Sequence, residues 1–189
     1  MSLNAIVARL DPLLKPIGFS RHGATWNRSV GSFIDVVNVQ SSKSRDAITI
    51  NAGVLHPGAF TKCWGQVLPQ FIDEAQCTVR ARVGQLIDGK DLWWNLTATD
   101  TADDIADKVA SPVLPYLEQM HSVNAMVQFL EDGQVVKMKY PPPIIYLAIL
   151  KDEQGDSNVA CALLSDLRNK SGAAWLSRIR RVAEMLGCS

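Results

Sequence analysis

Residues 32–55 read SFIDVVNVQSSKSRDAITINAGVL and predict the centre of the fold. The run from Phe33 to Gln40 is rich in β-branched residues, and a second such run extends from Ile48 to Val54. Residues 41–46, which separate the two runs, are all polar, as is typical of a hairpin loop slightly longer than a tight turn. We therefore expect two antiparallel strands joined by a polar loop, and we call this segment the central hairpin.

The alternation of side chains assigns two faces to the central hairpin, because successive residues of a strand point to opposite sides. One face is apolar in the second strand, where it carries Ile48, Ile50, Ala52 and Val54. The other face carries three amides, which are Asn38, Gln40 and Asn51. Asparagine is depleted in strands, so these amides need a hydrogen-bonding reason. Two interpretations stay open: the amides face water or satisfy a nearby loop, or they form a polar pocket on the sheet.

The rest of the chain predicts an α+β fold. Further strands are expected at residues 25–29, 77–87 and 93–96, and apolar residues recur at helical spacing near the start and throughout the second half. Four to five antiparallel strands flanked by helices, with a helical C-terminal portion, define this class. The run Pro141–Pro143 predicts a stiff connector. We therefore expect an α+β domain over residues 1–140 and a helical extension over residues 141–189, packed on it as one compact unit.

The composition of the chain limits the kinds of binding partner and the cellular compartment that we expect. The 189 residues carry a formal net charge of zero, which argues against general binding to nucleic acid or to an anionic membrane. No secretory signal and no membrane-spanning run is evident, so we expect a cytosolic protein. The four cysteines form no C-x-x-C pair, and we expect Cys63, Cys77, Cys161 and Cys188 to be free thiols. Without a phosphate loop, dinucleotide fingerprint or zinc motif, we expect no cofactor and no metal.

Two arginines alternate onto one face of a predicted strand. Arg80 and Arg82 stand about 7 Å apart and suit bidentate contacts to a carboxylate or phosphate. The alternative is a solvated face, or pairing with acids such as Asp35. The adjacent Trp93 and Trp94 point opposite ways, so that one enters the core while the other reaches a surface or pocket.

A second group of arginines lies on the polar side of the last helix, at Arg178, Arg180 and Arg181. Charge on one side of a helix is typical of a solvated face, and a partner-binding patch is the alternative.

The order of several short segments resembles a known family. These segments are GFSRHGATWNR (18–28), VVNVQSSKS (36–44), ITINAGV (48–54), CTVRARVGQL (77–86) and WWNL (93–96). They resemble the bacterial family known as domain of unknown function 4304, over roughly residues 5–135. The resemblance implies a fold and assigns no catalytic residue. The residues at its recurring positions are Gly18, Phe19, Gln40, Asn51, Gly53, Arg80, Arg82, Gly84 and Trp94.

The leading functional hypothesis is a non-enzymatic binding module that uses a polar sheet face to bind an acidic partner protein or a small anionic ligand. The alternative is an enzyme acting on a small anionic or nucleotide-like substrate, with the arginine pair as an electrostatic clamp and His22 or Asp35 as base. A flat polar sheet favours the first hypothesis, and a concave site around Asp35 favours the second. Catalytic residues stay unassigned, and neither nucleic acid nor membrane is an expected partner. The predicted ligand-binding residues are Asn38, Gln40, Asn51, Arg80, Arg82 and Trp94.

Overall fold

The structure is a computed structural model that describes residues 2–97, 101–133 and 135–188. The chain divides into two compact units, one formed by residues 1–55 and 69–119 and the other by residues 56–68 and 120–189. Residues 120–140, which the sequence interpretation grouped with the sheet, therefore belong to the second unit. The packing of the C-terminal helices on the sheet as one compact body stays a prediction.

The first unit is built on a six-stranded antiparallel sheet, which confirms the predicted α+β class. The first five strands are neighbours in chain order, and the sixth pairs with the fourth beyond the end of the fifth. Residues 20–22, which lie before the first strand expected from the sequence, form the first edge strand. The strands are β1 (Ser20–His22), β2 (Thr25–Val30), β3 (Phe33–Ser41), β4 (Ala47–Leu55), β5 (Val79–Arg82) and β6 (Trp94–Asn95).

The register of the central hairpin confirms the two predicted faces. Asn38 pairs with Asn51, and Val37 pairs with Ala52. Residues directly opposite each other in an antiparallel pair share a face. The amides therefore lie on one side of the sheet, and the valine and alanine side chains lie on the other.

Helices pack on the apolar face of the sheet. Trp26 of β2 and Trp94 of β6 both lie on this face, and each donates its indole N–H to a helical aspartate. Trp26 donates to Asp11 of the first helix at 2.9 Å, and Trp94 donates to Asp104 of a later one at 2.6 Å. The helices of this unit are α1 (Leu3–Leu14), α3 (Val83–Ile87), α4 (Thr101–Lys108) and α5 (Leu114–Gln119), and a π-helical turn (Val109–Val113) joins the last two.

Residues 77–87 form two elements where the sequence predicted one. The strand β5 ends at Arg82 and α3 begins at Val83, where the Gln85 side chain accepts the backbone N–H of Arg82, the N-cap residue, at 2.8 Å. A Cβ atom on Gly84 would lie 2.1 Å from the carbonyl oxygen of Lys90, so the chain returns directly against the helix at this residue. Glycine is therefore required at position 84.

The second unit is helical. Its most buried element is α7, in which every residue from Ile144 to Leu150 is buried. No described helix is long and apolar enough to cross a membrane. The helices are α2 (Pro57–Trp64), α6 (Val123–Asp132), α7 (Pro142–Glu153), α8 (Ser157–Lys170) and α9 (Ala173–Met185).

The expectation of four free thiols is wrong for two of them. Cys161 of α8 and Cys188, which follows α9, form a disulfide with their Cα atoms 5.3 Å apart. The sequence separation of 27 residues gives no motif, and the two cysteines meet only because α9 folds back along α8. Cys63 and Cys77 are free and buried.

Candidate functional site

A row of polar side chains crosses five strands on the face opposite the helices. His22 pairs with Thr25, Thr25 with Asn38, Asn38 with Asn51, and Asn51 with Arg82. Paired residues share a face, so the whole row lies on one side of the sheet. The name "polar face" is used below for this row and three neighbours on the same side, which are Gln40, Thr49 and Arg80.

The amides of the polar face form one hydrogen-bonded network. Asn51 Nδ2 donates to Asn38 Oδ1 at 3.2 Å and to Gln40 Oε1 at 3.0 Å. Asn38 Nδ2 donates in turn to Thr25 Oγ1 at 2.9 Å. Within the described part of the chain, the donor Gln40 Nε2 and the acceptor Asn51 Oδ1 have no partner. The network thus fixes the amide orientations and still offers both a donor and an acceptor.

Both predicted arginines lie on the polar face, and each is paired with a carboxylate. Arg82 Nη1 donates to Asp91 Oδ2 at 2.8 Å, and Arg80 Nη1 donates to Glu74 Oε2 at 2.9 Å. The pairing with acids that the sequence left open is therefore present, although Asp35 is not the partner. Ion pairs this exposed contribute about 0–1 kcal/mol each. They hold the guanidinium groups weakly.

Of the two adjacent tryptophans, the structure brings Trp93 to Arg82. The Arg82 guanidinium lies 5.4 Å from the centre of the Trp93 ring. Trp94, which the sequence assigned to the ligand site, pairs with Ile48 and is 7% exposed on the opposite face. Trp94 is therefore a core residue, because alternation along the short strand turns it toward the helices.

The two predicted bases lie on opposite faces. His22 begins the polar row on edge strand β1. Asp35 lies on the apolar face, is fully buried, and accepts hydrogen bonds from Arg28 Nε at 2.9 Å and Nη2 at 2.7 Å. Burial alone would lower the pKa of Arg28, but hydrogen bonds from its guanidinium to Asp35 and Glu118 raise that pKa above its ordinary value. Asp35 therefore holds Arg28 in the core and lies outside the polar face.

The segment 69–78 crosses the same side of the sheet at β2. Asn27 Nδ2 donates to the carbonyl oxygen of Ile72 at 2.9 Å, and the Ile72 N–H donates to Asn27 Oδ1 at 2.7 Å. The Phe71 ring lies 5.5 Å from the His22 ring, edge to face. An open cleft of about 310 Å³ borders this segment, and the lining that the structure describes includes none of the predicted ligand-binding residues. The predicted residues thus lie outside this cleft. Arg80 is exposed, whereas Asn51 and Trp94 are buried.

Three residues of this surface were not predicted from the sequence, which are Thr25, Glu74 and Asp91, and strand alternation leaves the choice between Trp93 and Trp94 open. Thr25 could have been found from the register of β2 against β3, had the β2–β3 turn been assigned first. Glu74 and Asp91 come from segments outside the strands, and no pattern in the sequence places them beside the arginines. The alternation rule predicts that Trp93 and Trp94 diverge, but it does not say which of them faces the helices.

Comparison with known proteins identifies one family. The family described as "Domain of unknown function (DUF4304)" matches residues 10–119, which is 110 of the 189 residues. These residues include all six strands and the whole polar face. No curated protein and no solved structure matches the chain. Because the match covers more than half of the sequence, the chain belongs to the DUF4304 family.

Proposed function

We propose that the protein is a non-enzymatic binding module whose polar face recognises an acidic partner protein or a small anionic ligand. The observation that carries this proposal is the amide network, because it presents the donor Gln40 Nε2 and the acceptor Asn51 Oδ1 beside Arg82. These oriented polar groups lie outside the cleft at β2, which favours recognition, since catalytic sites are usually concave.

The arginines supply the charge for an anionic ligand. The pairs of Arg82 with Asp91 and of Arg80 with Glu74 are exposed and weak, so a carboxylate of the ligand exchanges with the protein's own carboxylate at small cost. Arginine matches the planar geometry of a carboxylate through two parallel hydrogen bonds. Trp93 beside the Arg82 guanidinium adds an aromatic surface of the kind enriched at interfaces.

The enzyme alternative gains less support from the same surface. Its clamp would be the same arginine pair, but Asp35 is buried on the opposite face against Arg28. His22 is then the one predicted base that shares a face with Arg82. We keep this alternative as an outcome of the binding experiment below.

A bacterial origin and a cytosolic location are further parts of the proposal, the first drawn from the family resemblance and the second from composition. The disulfide between Cys161 and Cys188 weighs against a cytosolic location, because structural disulfides are rare in reducing compartments. Counting thiols in protein that is unfolded in denaturant and alkylated at the moment of lysis tests this point, because Cys63 and Cys77 are buried in the folded chain. Two alkylated residues per chain would contradict the cytosolic location, and four would support it.

The experiment that tests the binding function is an NMR titration that follows the side-chain N–H signals of Asn38, Gln40 and Asn51. The probes are a capped hexaglutamate peptide, citrate, and a capped hexaglutamine peptide as the neutral control. We expect saturable shifts with either anionic probe. We expect Arg82→Ala to weaken binding by about tenfold or more, because a hydrogen bond to a charged group contributes about 1.5–3 kcal/mol.

The matched control is Arg9→Ala, which removes an exposed, ion-paired arginine from α1. It should leave the affinity within about twofold, since it changes net charge equally and lies in another element. Equal weakening by both variants would reduce the effect to net charge and refute a specific site. Slow chemical change of a probe during the titration would favour the enzyme alternative.

A further inference from the structure

The helical unit holds an arginine against two tryptophan rings. The guanidinium carbon of Arg178, in α9, lies 4.0 Å from the centre of the Trp64 ring and 4.9 Å from the centre of the Trp175 ring. Trp64 belongs to α2, and Trp175 lies one turn before Arg178 on the same face of α9. Cation–π contact with two rings positions the charged group and partly shields it from water.

Both rings are fixed by contacts of their own. The Trp64 indole N–H donates to the hydroxyl of Tyr146, a buried residue of α7, at 2.8 Å. The Trp175 ring packs edge to face on the half-exposed Tyr140 at 5.7 Å and on Trp64 at 6.4 Å. The cage around Arg178 is therefore preorganised, and a ligand need not order it on binding.

The neighbouring arginine is already engaged, whereas Arg178 is not. Arg181 donates to the carbonyl oxygens of Lys62 at 3.0 Å and Cys63 at 2.7 Å, which are the last carbonyls of α2. Within the described residues, Arg178 makes no hydrogen bond and no ion pair. The two ring centres lie 6.4 Å apart and their planes are 69° from parallel, so the rings contact the guanidinium from adjacent sides and its N–H groups stay available to a ligand.

We propose that Arg178, with Trp64, Trp175 and Tyr140, forms a second binding site, which takes one carboxylate of an acidic peptide segment. A carboxylate lies in the plane of a guanidinium and accepts two parallel hydrogen bonds, and the Arg178 guanidinium has no such partner among the described residues. A phosphate group carries more charge and calls for a second cation, but Arg181 is held by the α2 carbonyls. Tryptophan, tyrosine and arginine are also the residues most enriched at the energetic centres of protein interfaces.

Most residues of this site lie outside the family-matched segment, which contains the polar face. Tyr140, Trp175 and Arg178 follow the last family-matched residue, 119, and only Trp64 precedes it. The site therefore belongs to the C-terminal part of this chain and does not depend on the function proposed for the sheet. The proposal is a specific form of the alternative that the sequence left open, in which the arginines of the last helix form a partner-binding patch.

The test is an NMR titration that follows the Nε–H signal of Arg178 and the indole N–H signals of Trp64 and Trp175. The probes are capped hexaglutamate, capped hexaglutamine and inorganic phosphate. We expect saturable shifts with hexaglutamate alone. Arg178→Lys keeps the charge but lacks the planar fork, and we expect it to weaken binding about tenfold or more. Arg180→Ala, on the same helix and exposed, is the control and should change the affinity less than about twofold.

Four results would overturn the proposal. These are no saturable shift at Arg178, equal binding of hexaglutamine, phosphate binding as tight as hexaglutamate, and equal weakening by Arg178→Lys and Arg180→Ala. The indole signals in the free variants show whether the cage is still folded, and Trp64→Phe serves as a second variant that leaves Arg178 in place. Arg82→Ala should leave the Arg178 shifts unchanged, so failure of this site and failure of the polar face are distinguishable.

Discussion

Two arginines of the sheet should differ several-fold in their contribution to stability, although both are paired with aspartate. The Arg82 side chain is 33% exposed and its partner Asp91 is 53% exposed. An exposed pair contributes about 0–1 kcal/mol, and the contact with Trp93 adds about 0.5–1 kcal/mol at a surface. We therefore expect Arg82→Ala to lower the free energy of unfolding by about 0.5–2 kcal/mol.

Arg28 is the contrasting case. Its side chain is 13% exposed and that of its partner Asp35 is fully buried. Arg28→Ala leaves a buried carboxylate without this guanidinium, and breaking a buried pair in this way costs about 3–5 kcal/mol. The two variants remove the same side chain from the same unit of the chain, so their difference reports the burial of Arg28 together with its second carboxylate partner, Glu118.

The assay is urea unfolding at neutral pH, followed by tryptophan fluorescence, with wild type and both variants measured together. The free energies of unfolding should rank wild type above Arg82→Ala, and Arg82→Ala above Arg28→Ala. A loss of 3 kcal/mol or more for Arg82→Ala, roughly the cost of breaking a buried pair, would refute the reasoning, because it would make Arg82 part of the scaffold. The polar face would then lose its principal charged group as a ligand contact.

Three further outcomes are expected. Gly84→Ala should destabilise the sheet unit by more than about 1 kcal/mol in urea unfolding, because its Cβ would lie 2.1 Å from a backbone oxygen; a smaller loss would mean that the chain near residue 90 moves aside. Purified protein unfolded without reductant should show two reactive thiols, rising to four after reduction of Cys161–Cys188, whereas four from the start would remove the disulfide. Burial raises the pKa of the Cys63 thiol to about 12, although the positive charge of nearby arginines opposes this shift. Above pH about 9 the thiol therefore ionises in the unfolded chain, while it keeps its proton in the folded chain. Stability should then fall with rising pH by up to about 1.4 kcal/mol per unit, and Cys63→Ala should remove this part of the slope in urea unfolding measured from pH 8 to 10.5; an identical slope in both proteins would contradict it.

The sequence predicted the sheet well because alternation is a local property. The faces of the central hairpin follow from side-chain direction alone, and the β3–β4 register agrees with them. The position of Trp94 could not be predicted in this way, because a two-residue strand has no pattern that fixes its phase. The acidic partners of the arginines and the bond between Cys161 and Cys188 depend on contacts between distant segments, which local spacing does not encode.

The double hydrogen bond from Asn27 to Ile72 has a consequence for how this surface can vary. A side-chain amide that pairs with both the N–H and the C=O of one residue substitutes for a rung of the β-ladder. Both hydrogen bonds are made to main-chain atoms of Ile72, so they do not constrain the identity of the side chains at positions 70 and 71. Those two positions line the adjoining cleft. Substitutions there can reshape the cleft wall while the course of the segment across the sheet stays the same.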